Sequence, residues 1–337
     1  SETEIVADGP VSTFHPTTSS FASVLGFAYQ PTAIADFSDG HTVRQLFEFF
    51  RIGLPCAPMF FSEHGIDIER ANGHKTFLVR CHISRKNLVG YAFDSTKCND
   101  PARQRHIVSF ELPDFITQVK SLAKKEGIRL CHYAEHADFV FGQLYGGNKT
   151  TTKGVIFFRI QKHEPAIYHI NDGVTPETIP NQVVPLSSFC SACTNAARSK
   201  YPYAFFIVYP NGVRIVAGNE TGSTGRRDGW GDCSGYMLKP KKPSRVKLDT
   251  PAPDEYVEVQ PFVTCVPLTD IKALMKASNL HPAGIVRIYS NRHQLTRLEI
   301  PAGSLCEVTI ILQGKDPQKI VEATGVMTTR RKKKELV

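Results

Sequence analysis

Four stretches of the sequence carry residue types that could do chemistry. Cys190 and Cys193 form a CxxC pair, the spacing of a zinc half-site or a redox dithiol. His132 and His136 are separated as in helical zinc motifs, with Glu135 between them. The segment YGGNKTTTKG, Tyr145 to Gly154, has the glycine, lysine and threonine of a phosphate-binding loop, and GNETGSTGRRDGWGD, Gly218 to Asp232, carries Glu220, Asp228 and Asp232, which could gather around a cation.

Each stretch lacks what would complete it. No second cysteine pair lies near Cys190 and Cys193, which sit in a helix-like segment where packing into the core is the better reading. His132 and His136 fall on alternating, strand-like sequence, so they do not share one helix face. Lys149 is preceded by Asn148 and not by glycine, which breaks the GxxxxGK[ST] spacing and leaves a loop between strands. The three carboxylates have no supporting motif and read as a solvated turn. There is no GxSxG nucleophile motif. A cofactor or a catalytic metal is therefore not expected.

Basic charge has more pattern. The formal net charge is +8 and the pI near 9.0, which favour a polyanionic partner. Four amphipathic segments each repeat a basic device on the face opposite their apolar one: Arg44 and Arg51 on the first, Lys120 and Lys124 with Thr117 on the second, Thr194 and Arg198 on the third, Lys272 and Lys276 on the fourth. For one helix a solvated face would account for such a stripe. Four with the same bias call for a shared partner. Acidic residues are fewer here, and Asp114 and Asp270 fall at helix N-termini, where the helix dipole favours them.

The elements that must position these charges follow from periodicity. TVRQLFEFFRI places Val43, Leu46, Phe47 and Phe50 at helical spacing, and LPDFITQVKSLAKKEG does so with Phe115, Val119 and Leu122. PLSSFCSACTNAARSK uses Phe189, Cys193 and Ala197, and PLTDIKALMKASN uses Ile271, Leu274 and Met275. Three of the four helices open on Pro113-Asp114, Pro185-Leu186-Ser187 or Pro267-Leu268-Thr269-Asp270, combining proline rigidity with a capping oxygen. Strand-like hairpins follow each helix. FFSEHGIDIER and IVYPNGVRIVAG repeat one phrase, with Gly65 and Gly212 at the tight turn, where positive φ is expected. The repeating unit is one strand, one helix and several antiparallel strands, used twice in each half.

These boundaries divide the chain into a flexible tail 1–25, a unit 26–167, an extended linker 168–182 (YHINDGVTPETIPNQ), a second unit 183–314 and a basic tail 315–337. Within the tail, RRKKKE, Arg330 to Glu335, reads as a nuclear import signal, a DNA-contacting arm or a bare solvated end. No apolar stretch approaches the ~18–20 residues a bilayer needs. Nine scattered cysteines suit free thiols in a reducing compartment, so the expectation is an intracellular, soluble chain without a membrane partner.

This order resembles the sliding clamps of the proliferating cell nuclear antigen (PCNA) family from about Phe27 to Gly314. VVPLSSFCSACTNAARSKYPYAFFIVYPNGVRIVAGNETGSTG is similar to the family's strand, inner helix and hairpin, and GIDIERANGHKTFLV to the counterpart hairpin, with Tyr91 where the family keeps a tyrosine before its second helix. The terminal tails and a short linker depart from the pattern and suggest a divergent member, viral or a specialised paralogue. The resemblance implies an α+β DNA-clamp fold of two similar domains, each with two inner helices and outer antiparallel sheets, assembled as a homotrimeric ring. It implies no catalysis. The implied partners are double-stranded DNA, a DNA polymerase and other replication or repair proteins bound through short peptides, and a clamp loader, in the nucleus or a viral replication compartment.

Carried onto this sequence, Arg44, Arg51, Lys120, Lys124, Arg198, Lys272 and Lys276 would face DNA. Phe77, Ile179, Pro180, Leu295 and Ile311 would wall a peptide pocket, with Arg70 standing where the family has an apolar residue. Tyr168, Gly222 and Thr224 would lie at the subunit interface, whose edge strands are expected at about Ile160 to Ile170 and Thr221 to Arg226. Two other readings stay open: a checkpoint-type or monomeric processivity clamp, and a DNA-processing enzyme with a basic cleft.

Overall fold

The protein is described by a computed structural model covering residues 31–53, 56–72, 74–134, 137–146, 152–160, 172–209, 212–218, 262–291 and 295–314. The expected tails lie outside the described residues. Among those residues no helix is long and apolar enough to cross a membrane.

A strand–helix–strand order recurs four times. It runs β1 (Ala33–Phe37), α1 (Gly40–Gly53), β2 (Cys56–Ser62), β3 (Gly65–Ala71), β4 (Phe77–Ser84) and β5 (Gly90–Phe93), then β6 (His106–Glu111), α2 (Leu112–Val119), β7 (Gly127–His132), β8 (Phe139–Tyr145) and β9 (Thr152–Arg159). The second half repeats it with β10 (Gln182–Pro185), α3 (Leu186–Ala197), β11 (Tyr203–Tyr209) and β12 (Gly212–Gly218), then β13 (Phe262–Pro267), α4 (Leu268–Leu274), β14 (Ile285–Ser290), β15 (Leu295–Ala302) and β16 (Cys306–Gln313).

The described strands form three antiparallel sheets. Five strands are ordered β5-β1-β7-β8-β9, three are ordered β12-β11-β13, and eight run β10-β14-β15-β16-β4-β3-β2-β6. The long sheet takes strands from both halves, joined where Val308 pairs with Cys81 and Leu312 with Phe77. One continuous core lies between the sheets and the helices, since apolar residues of all four helices belong to the same cluster as the inward residues of the strands.

Gly65 is required by its geometry. Its φ is +141°, and a Cβ there would stand 2.1 Å from the Ile83 carbonyl oxygen. Gly212 opens β12, but the turn before it lies outside the described residues. The expected capping does not occur at the three proline-led helices: α2, α3 and α4 start directly from strand ends at Glu111, Pro185 and Pro267, none with a side-chain cap. Backbone carbonyls do the work instead, as Leu186 donates to Gly284 and Leu268 to Pro202 at 2.9 and 2.8 Å. Of the four described α-helices only α1 is capped by a side chain, Asp39 accepting from the Thr42 amide at 2.9 Å.

His106 on β6 and His132 on β7 tie the long sheet to the five-stranded one. The Asn99 amide donates to His106 Nδ1 at 3.2 Å, so His106 Nε2 carries the hydrogen and donates to His132 Nδ1 at 2.7 Å. Burial pushes both imidazoles down to about 4, with the neighbouring His132 adding to the shift of His106. Unfolded histidines bind protons near pH ~6.5. The stability of this pair is therefore complete above that pH and declines as pH falls toward 4, because the unfolded chain then binds more protons. We expect a lower urea midpoint at pH 5 than at pH 7, and a smaller difference in His106→Gln; an equal difference in the variant would contradict the assignment.

Candidate functional site

The four helices form one layer, with α1 packed against α2 and α4, and α4 against α3. Their apolar faces interlock with one another and with the sheets. Phe47 meets Phe115 at a centroid distance of 4.6 Å, Phe115 meets Phe158 at 5.0 Å, and Phe189 meets Phe206 at 6.1 Å. Val43, Leu46, Phe50, Val119, Leu122, Cys193, Ile271 and Leu274 are buried as their spacing predicts, while Ala197 and Met275 are only half-buried.

Arg51, Lys120, Lys124, Arg198, Lys272 and Lys276 are all exposed along this layer, and none makes an ion pair with another described residue. Their placement corrects the sequence reading in part. Helix α2 ends at Val119, so Lys120 is its C-cap and Lys124 lies beyond it; the chain turns there to bury Leu122. Lys276 likewise follows the end of α4. Arg44 does not point freely outward. Its Nη1 donates to the Lys120 carbonyl at 2.8 Å and its Nε stands 3.6 Å from Glu48, so this guanidinium fastens α1 to the end of α2.

Of the acidic residues of the layer, Glu48 is held by Arg44 and Asp270 is withdrawn, while Asp114 stays exposed in the first turn of α2. Asp270 is 5% exposed and accepts from Thr76 Oγ1 at 2.7 Å and Asn72 Nδ2 at 3.1 Å. Burial raises its pKa against the lowering effect of these hydrogen bonds. The turn between β3 and β4 is thereby fixed to the first turn of α4, across the two halves. Asn72 and Thr76 bond to each other across the turn, but their shared partner Asp270 lies far away in the chain, so the sequence did not mark them as functional.

The outer face of the long sheet carries a second, separate apolar cluster of Ala71, Leu78, Leu295 and Ile311. Leu78 lies opposite Ile311 in the β4–β16 register and opposite Ala71 in the β3–β4 register. Phe77, one residue earlier, lies opposite Leu312 and enters the main core, so it is not a wall of this cluster. The strand period of two decides the matter. Arg70 pairs with Val79, a core residue, and by the same alternation stands on the inner face; it is half-buried and is not beneath the outer cluster.

The described part of the linker crosses this outer face. Asp172 accepts from Arg80 at 3.2 Å and Arg297 at 2.9 Å, and Arg297 also reaches Glu299 at 2.6 Å. The Asn181 side-chain oxygen Oδ1 accepts from the Ser290 amide at 2.6 Å. Between these anchors Ile179 is 84% exposed and Pro180 half-exposed. This charged anchorage left no local trace in the sequence.

Tyr168, Gly222 and Thr224, expected at a subunit interface, lie outside the described residues. The described edge of the five-stranded sheet is β9, which ends at Arg159, ahead of the expected edge at Ile160 to Ile170. Cys190 and Cys193 are buried on α3, and burial pushes both thiols up. Among the described residues no group of three or more His, Cys, Asp or Glu could hold a metal ion. His136 is outside the described residues.

No protein-family model matches the chain. No curated protein matches it either. Among solved structures, the Proliferating Cellular Nuclear Antigen from Entamoeba histolytica is similar, with a TM-score of 0.62 over 85% of this chain and the whole of that one, at 11% identity. The chain therefore has a PCNA-like clamp fold, a mixed α/β architecture of antiparallel sheets and few helices.

The Asp270 contact is directly testable. Asp270→Ala leaves the Thr76 hydroxyl without its acceptor and takes from Asn72 Nδ2 one of its two, the other being Thr76 Oγ1, and we expect a loss of about 1–3 kcal/mol in urea denaturation, less for Asp270→Asn. No loss in the alanine variant would remove Asp270 from the junction.

Proposed function

We propose that this chain is a subunit of a DNA sliding clamp, a scaffold that encircles duplex DNA and tethers a polymerase and other replication or repair proteins. The observation that carries the reading is the helix layer, with its apolar side locked into the core and its exposed side basic at Arg51, Lys120, Lys124, Arg198, Lys272 and Lys276. Such side chains suit phosphates met without regard to base sequence. Contacts of this kind are loose and salt-dependent, as sliding requires. Two similar domains per chain and three chains per ring would place this layer toward the hole and the sheets outside.

The subunits would join edge to edge near β9 and the strand region after β12, where Tyr168, Gly222 and Thr224 were assigned. An unpaired strand edge favours such pairing. Partner peptides would dock against the linker, where Ile179 is exposed and Pro180 half-exposed, on the face of the long sheet whose cluster of Leu78, Leu295 and Ile311 is itself buried. A clamp loader would open the ring, and the basic segment Arg330 to Glu335 would direct the protein to the nucleus.

The test is the salt dependence of DNA binding. Each phosphate contact contributes about 0.9 to the slope of log K against log salt. Changing Lys120, Lys124, Arg198, Lys272 and Lys276 together to Ala should flatten that slope by several units and weaken binding equally on unrelated duplexes. An unchanged slope would place these residues away from DNA.

A further inference from the structure

Two thiols meet at the seam between the halves. In the β4–β16 ladder Cys81 pairs with Val308, and Cys306 stands two residues before Val308, so the strand pleat turns all three side chains to one face. That face is the inner one. Cys81 and Val308 belong to the main core, and Cys306 packs against it half-buried, at its margin. The backbone before Cys306 is held toward the first half, because the Asn87 side-chain amide donates to the Leu305 carbonyl at 2.8 Å. The Cys81 and Cys306 thiols hydrogen-bond each other. Diagonal neighbours on paired strands stand about 7–8 Å apart, slightly beyond the Cα separation of about 4.4–6.8 Å that a disulfide spans. Cys306, however, lies past the last β4–β16 pair, where the ladder no longer sets the spacing, and a small approach of this strand end closes the gap.

We infer that Cys81 and Cys306 form a redox-modification site, which a peroxide converts to a disulfide that ties the two halves of the chain at the β4–β16 seam. Cys306, at the margin of the core, meets the oxidant first. Its thiolate sulfur attacks one peroxide oxygen, the O–O bond breaks, and the departing hydroxide takes up the proton that Cys306 gave away, leaving a sulfenic acid and water. The Cys81 sulfur then attacks the Cys306 sulfur, the S–O bond breaks, and the second hydroxide leaves as water with the Cys81 proton. Two thiols and one peroxide thus give one disulfide and two waters. The hydrogen bond to Cys306, and burial after it, push the Cys81 thiol well up. Alone it is inert, which suits a thiol that acts only on the neighbour it already touches. Cys190 and Cys193 differ, since both lie on α3 and a bond between them would join no two elements. Cys81 and Cys306 are far apart in the chain, so their link closes a long loop and restricts the unfolded state. The site lies within a single chain and does not depend on the clamp reading.

The full chain, reduced and then exposed to stoichiometric hydrogen peroxide, should yield in a non-reducing peptide map a linked pair of peptides carrying Cys81 and Cys306, with the protein still at the mass of one chain on a denaturing gel. Its urea midpoint should rise, and dithiothreitol should restore both thiols and the original midpoint. The link should form as readily in Cys98→Ser and vanish in Cys306→Ser, where Cys81 stays reduced. The unaltered chain decides, whatever the folding of a variant. Peroxide treatment after which Cys81 is still alkylated on unfolding, whether Cys306 has stayed a thiol or gone on to sulfinic acid, would overturn the inference. A linked chain with an unchanged urea midpoint would overturn the tie across the seam.

Discussion

The antiparallel pairing of β16 with β4 holds the arrangement together. It sets Val308 against Cys81 and Leu312 against Phe77, joining a strand from the end of the second half to one from the middle of the first. Because an antiparallel register leaves no freedom in which side chains share a face, this pairing places Ile311 over Leu78 and sends Leu312 and Phe77 into the core. It also brings the β3–β4 turn to α4, where Asp270 accepts from Asn72 and Thr76, and the Asn87 amide within 2.8 Å of the Leu305 carbonyl. Slipping the register by one residue would bury the outer cluster and expose the core.

The charges of the molecule divide by side. On the outer face they are matched: Asp172 between Arg80 and Arg297, Arg297 with Glu299, and Arg287 with Glu307 at 2.5 Å. Paired charges on a sheet surface fix the linker and leave little field. On the helix layer the exposed lysines and arginines have no acidic partner among the described residues, while Asp270 is buried and Glu48 is held by Arg44. A folded chain gains nothing from clustering like charges, and the proposed polyanionic partner would account for a surface of this sort.

Much of the inner layer was legible because helical period is written locally. Val43, Leu46, Phe47 and Phe50, or Phe115, Val119 and Leu122, announce their shared face in the sequence, and the structure buries them together. Helix length was not legible. Nothing in the run from Lys120 to Glu126 breaks a helix; α2 stops there because the chain turns, the Arg44 guanidinium taking the Lys120 carbonyl and the Glu126 carbonyl accepting from Gly40 at 2.7 Å. The outer cluster was half legible. Leu295 and Ile311 fall in one cluster, whereas Phe77, expected beside them, does not, because strand parity depends on a register set by a distant strand. His106, Asn72 and Asp172 act through partners far away in sequence, so no local pattern could reveal them.

The proposed ring makes the most direct demand on the molecule. A clamp subunit of this kind must close with copies of itself, because the helix layer of an isolated chain cannot surround a duplex. Native mass spectrometry at low micromolar concentration measures the assembly without DNA or partners. The account predicts a dominant species at three times the 37.4 kDa chain mass. A population consisting of single chains alone would contradict it.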